Sequence, residues 1–182
     1  MLKSRFILTT LFALFFVLPV AKDGNSLFVV HEVDAYHESA EAAHEIAEIE
    51  RIVKADNIIN TALKYLGVKY SYGNSSPKGF DCSGFTRYVF NEENIQISRT
   101  SHAQFSDGER INKTNDLKPG DLVFFGSRAT PNAIGHVGIV VEVDSETGRF
   151  KFVHASRQGI KVDESTEQYY SRRYIGARRI IK

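Results

Sequence analysis

The feature that most constrains the fold is a change of pattern after Pro119-Gly120. Before this point the apolar residues recur at helical spacing, whereas after it they form short β-branched and aromatic runs separated by turn residues. The runs predict strands at 121–125, 136–143, 149–154, 160–162 and 174–181. Helices followed by strands predict an α+β fold with an antiparallel sheet.

Three helices are predicted before the strands. The first covers the Ala- and Glu-rich stretch 34–54, the second covers 56–66, and the third runs from near Cys82 to about residue 92. Gly67 suits the end of the second helix, because glycine readily adopts the left-handed conformation of a helix C-terminus. A stretch rich in Gly, Ser and Asn separates the second helix from the third and predicts a turn.

The N-terminus has the pattern of an export signal. Lys3 and Arg5 precede an apolar run over 6–20, which is shorter than the roughly 20 residues of a membrane span. We predict a signal peptide over 1–21, with an uncleaved membrane anchor as the alternative. Cleavage would leave no stable membrane span, so the expected location is the periplasm, the cell envelope or the extracellular space.

Charge divides the remaining chain into two parts. Residues 22–56 contain nine acidic and three basic residues, whereas 57–182 contain 18 basic and 13 acidic residues. We interpret the first part as an acidic helical leader or linker and the second as one catalytic domain. A mildly basic domain suits an anionic polymer such as a cell wall, and ordinary surface variation explains the same charge equally well.

Cys82 is the only cysteine of the chain, so no internal disulfide can form. It lies at a predicted helix start, where backbone N–H groups and the helix dipole favour a thiolate. Asp81 is a suitable N-cap, although its charge would raise the pKa of the thiol. Taken alone, a free cysteine is more often a buried apolar residue than a nucleophile.

Two histidines lie in the strands that follow. His136 begins one predicted strand and His154 ends the next, with a hairpin loop at 144–148 between them. A hairpin makes the strands neighbours, so the two imidazoles can meet on one face. A thiol, a base and a group that orients the base are the parts of an activated-thiol site. The spacing by itself is equally compatible with packing.

Ordered motifs over about two thirds of the chain resemble those of the NlpC/P60 family of cell-wall peptidases. They lie at 62–67, 70–73, 81–85, 99–101, 117–125, 136–139, 154–156 and 173–179. The resemblance implies a minimal papain-like fold, with N-terminal helices packed on a central antiparallel sheet. It also implies hydrolysis of peptidoglycan stem peptides, in many members at the bond between D-γ-glutamate and a diamino acid.

The resemblance also assigns catalytic roles. It implies that Cys82 attacks the substrate, His136 accepts the thiol proton and His154 holds the His136 ring. Tyr70 would help the Cys82 backbone N–H to stabilise the oxyanion. The usual pKa of a thiol is about 8.5. A thiol activated by His136 should react with iodoacetamide well below this pH.

Four further residues are predicted to bind substrate: Asp81, Ser83, Tyr72 and Arg99. By the resemblance, Asp81 and Ser83 would contact the amino terminus of the substrate and favour stems with a free L-Ala amino group. Tyr72 stands where the family often has Trp, which alters one wall of the groove. The alternative for Asp81 and Ser83 is simple helix capping.

The expected partner is peptidoglycan or a muropeptide, and the expected state is a monomer. We expect no nucleic acid, cofactor or metal to take part. Two alternatives stay open: an amidase or acyltransferase on the same Cys-His scaffold, and a catalytically idle wall-binding domain. The intact set of Cys82, His136 and His154 argues against the idle domain.

Overall fold

The computed structural model describes the backbone of residues 27–182 and the side chains from residue 40 onwards. The predicted signal peptide and the start of the predicted leader lie outside the described residues. All the described strands belong to one compact unit, residues 41–182. No described helix is both long and apolar enough to cross a membrane.

Four α-helices are described: α1 Leu27–Leu63, α2 Cys82–Glu92, α3 Ser101–Gln104 and α4 Gln168–Ser171. The strands are β1 Ser75–Ser76, β2 Gly79–Phe80, β3 Glu109–Ile111, β4 Leu122–Gly126, β5 Ile134–Asp144, β6 Arg149–Ser156, β7 Gly159–Glu164 and β8 Tyr174–Arg179. A 3₁₀ turn, Thr114–Asp116, lies between β3 and β4.

The first two predicted helices are one helix. The sequence predicted a break at residue 55, but α1 continues through it, because no Gly or Pro interrupts the hydrogen bonds and Asp56 is exposed to solvent. Helix α1 ends at Leu63, three residues before the predicted end, and hydrogen-bonded turns continue to Gly67, whose φ of 84° is in the left-handed region. Glycine reaches this conformation without steric cost, which explains why it follows the last helical turns.

Six strands form an antiparallel sheet in the order β3-β8-β4-β5-β6-β7. Alternation along β4 sends Leu122 and Phe124 to one face and Val123 and Phe125 to the other. All four are buried, so the strand is covered on both sides and reads as a continuous apolar run.

Helices α1 and α2 cover the first face of the sheet. Ala55, Ile58 and Ala62 of α1 are almost completely buried there, together with Phe85 and Val89 of α2. The second face carries an aromatic cluster that includes Phe125 and Phe152. The predicted α+β class with helices packed on an antiparallel sheet is therefore confirmed.

Candidate active site

Cys82 is the first residue of α2. The preceding turn reaches this point through the small hairpin of β1 and β2, whose last residue, Phe80, is fully buried. A bridge between Tyr70 and Phe80 brings Tyr70 to the same end of the helix. Any side chain at Gly84 would collide with the carbonyl oxygen of Asn74, so glycine lets the turn approach the helix closely.

Asp81 caps α2 and receives several internal hydrogen bonds. Its Oδ1 accepts from the backbone N–H of Gly84 at 2.6 Å, and its Oδ2 accepts from that of Gly73 at 3.0 Å. The guanidinium of Arg99 donates to both oxygens, at 3.0 Å and 2.7 Å. It also donates to Ser83 Oγ at 3.2 Å. Three of the predicted substrate-binding residues are thus brought together.

The contacts of Asp81 bear on its predicted role. An arginine that binds both carboxylate oxygens compensates the charge of Asp81, and the side chain is buried. These contacts favour a structural role in holding the turn before Cys82. Recognition of a free L-Ala amino group by Asp81 and Ser83 stays a prediction, and a substrate ammonium would have to compete with Arg99.

The predicted tyrosines occupy different surroundings. Tyr70 is half-buried and lines the cleft that contains Cys82. Tyr72 is 91% exposed and is absent from the residues that line this cleft. A contact between Tyr72 and substrate would therefore require a ligand that extends beyond the cleft.

His136 and His154 meet on the second face of the sheet. They lie on the neighbouring strands β5 and β6, and His136 Nε2 is 2.8 Å from His154 Nδ1. Their rings are nearly perpendicular, at 87°. Gly138 keeps this space open, because a Cβ there would lie 2.6 Å from Phe152 and 3.1 Å from the Cβ of His154.

One residue of this network was missed by the sequence analysis. Asp163 on β7 has its Oδ2 at 3.0 Å from His154 Nε2, and the same oxygen accepts from Lys161 Nζ at 2.9 Å. Tyr170 covers the group with its ring, and its hydroxyl lies 3.4 Å from His154 Nε2. His154 is completely buried and Asp163 is 6% exposed, so the pair is shielded from water.

A cleft of about 710 Å³ opens over these groups. Its lining includes the thiol, both imidazoles and Tyr70, and the other wall consists mainly of polar and basic side chains. Among the residues with described side chains, no three His, Cys, Asp or Glu residues are grouped so as to hold a metal ion.

The surroundings of Cys82 and His136 favour the neutral form of each side chain. Burial raises the pKa of the Cys82 thiol and the charge of Asp81 raises it further, although backbone N–H groups, including that of Val137, lower it. Burial and, to a smaller extent, the charge of His154 lower the pKa of His136 to about 3. At neutral pH these shifts favour a protonated thiol and an uncharged imidazole in the same cleft.

These shifts reverse the expected reactivity of the thiol towards iodoacetamide. A raised pKa decreases the thiolate fraction at each pH, so the alkylation rate should still be rising above pH 9. The measurement is the rate of Cys82 labelling from pH 5 to pH 10, with the same chain in denaturant as a control for an ordinary thiol. A rate plateau between pH 5 and pH 7 would show that an ion pair exists in the resting site.

Comparison with known proteins relates this site to a family. The model of the NlpC/P60 family matches residues 67–179. A protein named probable endopeptidase p60, from Listeria innocua, is 43% identical over 106 residues, which cover 58% of this chain and 21% of that protein. A protein named murein DD-endopeptidase MepS/murein LD-carboxypeptidase, from Escherichia coli, is 34% identical over 140 residues, covering 74% of this chain and 69% of that protein.

Solved structures of NlpC/P60 proteins have a fold similar to that of this chain. An NlpC/P60 family protein from Bacillus cereus has a TM-score of 0.62 and 32% identity, with coverage of 70% of this chain and 40% of that chain. The NlpC/P60 domain of the peptidoglycan hydrolase SagA has a TM-score of 0.55 and 32% identity, with coverage of 69% and 97%. The chain spans about a fifth of the length of the p60 relatives.

The fold defines a small papain-like α+β domain, with a helix that begins at a cysteine packed on an antiparallel sheet that carries two histidines. The family match covers more than half of the chain. The chain belongs to the NlpC/P60 family.

Proposed function

We propose that the protein is an exported cysteine endopeptidase that hydrolyses peptidoglycan stem peptides, at the bond between D-γ-glutamate and a diamino acid. The observation that carries the proposal is the hydrogen bond of 2.8 Å between His136 Nε2 and His154 Nδ1, in the cleft that contains Cys82. The name of the Escherichia coli relative supports a murein substrate, and the name of the Listeria innocua relative supports an endopeptidase. They also support a location in the cell envelope or outside the cell.

In the first half-reaction the thiol of Cys82 attacks the carbonyl carbon of the scissile bond. The thiol proton moves to His136 Nδ1, the ring nitrogen that does not contact His154, while the C–S bond forms. The carbonyl oxygen becomes an oxyanion. The backbone N–H of Cys82, which has no intrahelical acceptor at the first position of α2, and the hydroxyl of Tyr70 would stabilise it.

The intermediate then collapses. The C–N bond breaks, and the proton on His136 Nδ1 passes to the leaving amine of the diamino acid. A water molecule next gives a proton to the same nitrogen and attacks the thioester carbon. Cleavage of the C–S bond releases the γ-carboxylic acid of glutamate, which then loses its proton to solvent, and the proton on His136 Nδ1 returns to the sulfur of Cys82. One water is therefore consumed in each cycle.

The lining of the cleft supports an anionic substrate. Four cations line it, Arg128, Arg157, Lys161 and Arg173, against the two acidic residues Asp163 and Glu167. Lys161 is paired with Asp163, and Arg173 stacks on the ring of Tyr169 and donates to its carbonyl oxygen. The guanidinium groups of Arg128 and Arg157 therefore remain for a ligand. Stem peptides have carboxylates on both sides of the D-γ-glutamyl bond, and guanidinium groups bind carboxylates with two parallel hydrogen bonds.

Among the cations that line the cleft, Arg157 is the one whose charge acts on Tyr70. Burial raises the pKa of Tyr70, which lies beside Cys82, and the positive charge of Arg157 opposes that rise. Arg157 is also exposed, so it is free to approach a substrate. We therefore assign to it a carboxylate of the stem, of which the α-carboxylate of D-glutamate is the nearest to the scissile bond.

Replacing Arg157 by Gln is expected to raise KM for a stem with a free α-carboxylate about two- to fivefold, the range for an exposed ion pair. For the same stem with that carboxylate amidated, KM should not change. The matched control is Arg87→Gln, an exposed arginine of α2 that does not line the cleft. An equal effect of Arg157→Gln on both substrates would exclude this charge contact.

Two other reactions deserve comparison. The Escherichia coli relative is named a DD-endopeptidase and an LD-carboxypeptidase, so a bond nearer the end of the stem is the main alternative within the same chemistry. An amidase would instead separate the stem from the sugar. Mass spectrometry of a muropeptide digest identifies the bond directly, since each cleavage leaves a different amine and acid.

A further inference from the structure

Asp163 closes a continuous chain of hydrogen-bonded groups behind the nucleophile. His136 Nε2 contacts His154 Nδ1 at 2.8 Å, and His154 Nε2 contacts Asp163 Oδ2 at 3.0 Å. The sheet fixes this order, because His136, His154 and Asp163 come from the consecutive strands β5, β6 and β7. His154 Nδ1 therefore has His136 as its partner, and His154 Nε2 has Asp163 as its nearer partner, with the hydroxyl of Tyr170 farther away at 3.4 Å.

The partner at the end of the chain determines where the proton of His154 lies. Burial alone would raise the pKa of Asp163, but hydrogen bonds from Lys161, Tyr170 and His154 hold that pKa below its ordinary value. An ionised carboxylate only accepts hydrogen bonds, so His154 Nε2 must donate. Burial lowers the pKa of His154 to about 4, and in the neutral ring Nδ1 is then an acceptor.

The position of the proton on His154 also fixes the position of the proton on His136. Because His154 Nδ1 accepts, the nitrogen opposite it, His136 Nε2, must donate the hydrogen bond that joins them. The neutral His136 ring then has no proton on Nδ1. This is the form required of a base that accepts the proton of a thiol.

We infer that Asp163 is a positioning residue that sets the tautomers of both His154 and His136, and so keeps His136 Nδ1 unprotonated towards Cys82. The inference rests on the proposed function for its effect on catalysis. The tautomers themselves are a property of the free protein and can be observed without any substrate.

Loss of the carboxylate would permit the opposite arrangement. An amide at position 163 can turn its NH₂ group towards His154 Nε2, which then accepts and leaves the proton on Nδ1. His154 Nδ1 would donate to His136 Nε2, and the proton of His136 would occupy Nδ1, facing the thiol. The base would be blocked by its own proton, as in serine proteases when the carboxylate of the triad becomes an amide.

The negative charge of Asp163 also acts on the protonation of His136. The carboxylate of Asp163 raises the pKa of His136 against the larger opposing effect of burial. It therefore stabilises the imidazolium that forms when the thiol proton is transferred. Lys161 donates to the same Oδ2, and its charge lowers the pKa of His154. The variant Lys161→Gln therefore removes a neighbouring charge while the carboxylate of Asp163 is kept.

The first test is nitrogen-15 NMR of the imidazole rings in the free protein at neutral pH. Both His136 and His154 should be protonated on Nε2 and unprotonated on Nδ1. In Asp163→Asn the proton should move to Nδ1 on both rings, whereas in Glu164→Gln, the same chemical change one residue along on an exposed side chain, the rings should be unchanged. Wild-type rings protonated on Nδ1 would overturn the inference even if Asp163→Asn does not fold.

The second test is kinetic. Asp163→Asn should lower kcat about 100-fold with KM little changed, since the residue acts through His154 and not on the substrate. Asp163→Glu should restore part of kcat and the Nε2 protonation, while Lys161→Gln should change kcat far less than Asp163→Asn. Unchanged tautomers together with unchanged kcat in a folded Asp163→Asn protein would refute the inference, and an inactive wild-type protein would instead refute the proposed function.

Discussion

Replacing Cys82 by Ala is expected to abolish hydrolysis of stem peptides, with a loss in kcat of about 10⁴-fold or more. No other cysteine exists in the chain, so no second thiol can substitute for it. The side chain is small and only 9% exposed, and removal of one buried sulfur should leave the fold intact. Circular dichroism and the Tm of the variant provide the check on folding.

Cys82→Ser is the matched control for this result. It keeps the size and a hydrogen-bonding group at the first position of α2, but a hydroxyl is a far weaker nucleophile than a thiol at neutral pH. We expect Cys82→Ser to be nearly as inactive as Cys82→Ala while binding the same substrate. If either folded variant hydrolyses muropeptides at the wild-type rate, Cys82 is not the nucleophile.

Replacing His136 by Ala should be almost as damaging as the loss of the thiol. It removes the group that accepts and returns the proton, and the raised pKa of Cys82 leaves little thiolate to react without it. The assay is kcat on a purified stem peptide, and His102→Ala, an exposed histidine of α3, is the control. Activity in His136→Ala close to that of His102→Ala would exclude His136 as the base.

Variants at His154 refine this prediction. An amide oxygen of Asn or Gln at position 154 can accept the hydrogen bond from His136 Nε2, as an asparagine does in papain-like sites. These two variants should therefore retain partial activity, whereas His154→Ala should lose most of it. Full activity in all three would show that His154 has no role in orienting His136.

The sequence was sufficient for the class of fold and for the strand pairing that positions the histidines. The apolar runs of β4 and β5 are long and continuous, so they identify strands that are buried on both faces. The loop at 144–148 then forces the two strands that carry His136 and His154 to be neighbours. These local signals are strong because each depends on residues that are close together in the chain.

Asp163 could not be found in the same way. The predicted strand ended at residue 162, and a single acidic residue after it resembles an exposed turn. Its position depends on the register of β6 with β7, in which Phe152 is opposite Asp163 and His154 is opposite Lys161. This register places Asp163 on the same face as His154 and diagonally across from it, because residues two apart along a strand share one face.

The short edge strands were missed for a related reason. β3 consists of Glu109, Arg110 and Ile111, and its charged residues give no apolar alternation. It pairs only with β8 at the edge of the sheet, where charged side chains are tolerated and protect against pairing with other chains. The hydrogen bonds between Asp81 and Arg99 likewise depend on tertiary contact across 18 positions.

The most direct test of the central claim is mass spectrometry of purified muropeptides after incubation with the full chain. We predict two new products whose masses add to the substrate plus one water, one with a free amine on the diamino acid and one ending in the γ-carboxylate of D-glutamate. Cys82→Ala should give neither product. Release of an intact stem from the sugar by wild type, or the same products from Cys82→Ala, would contradict a cysteine endopeptidase at this site.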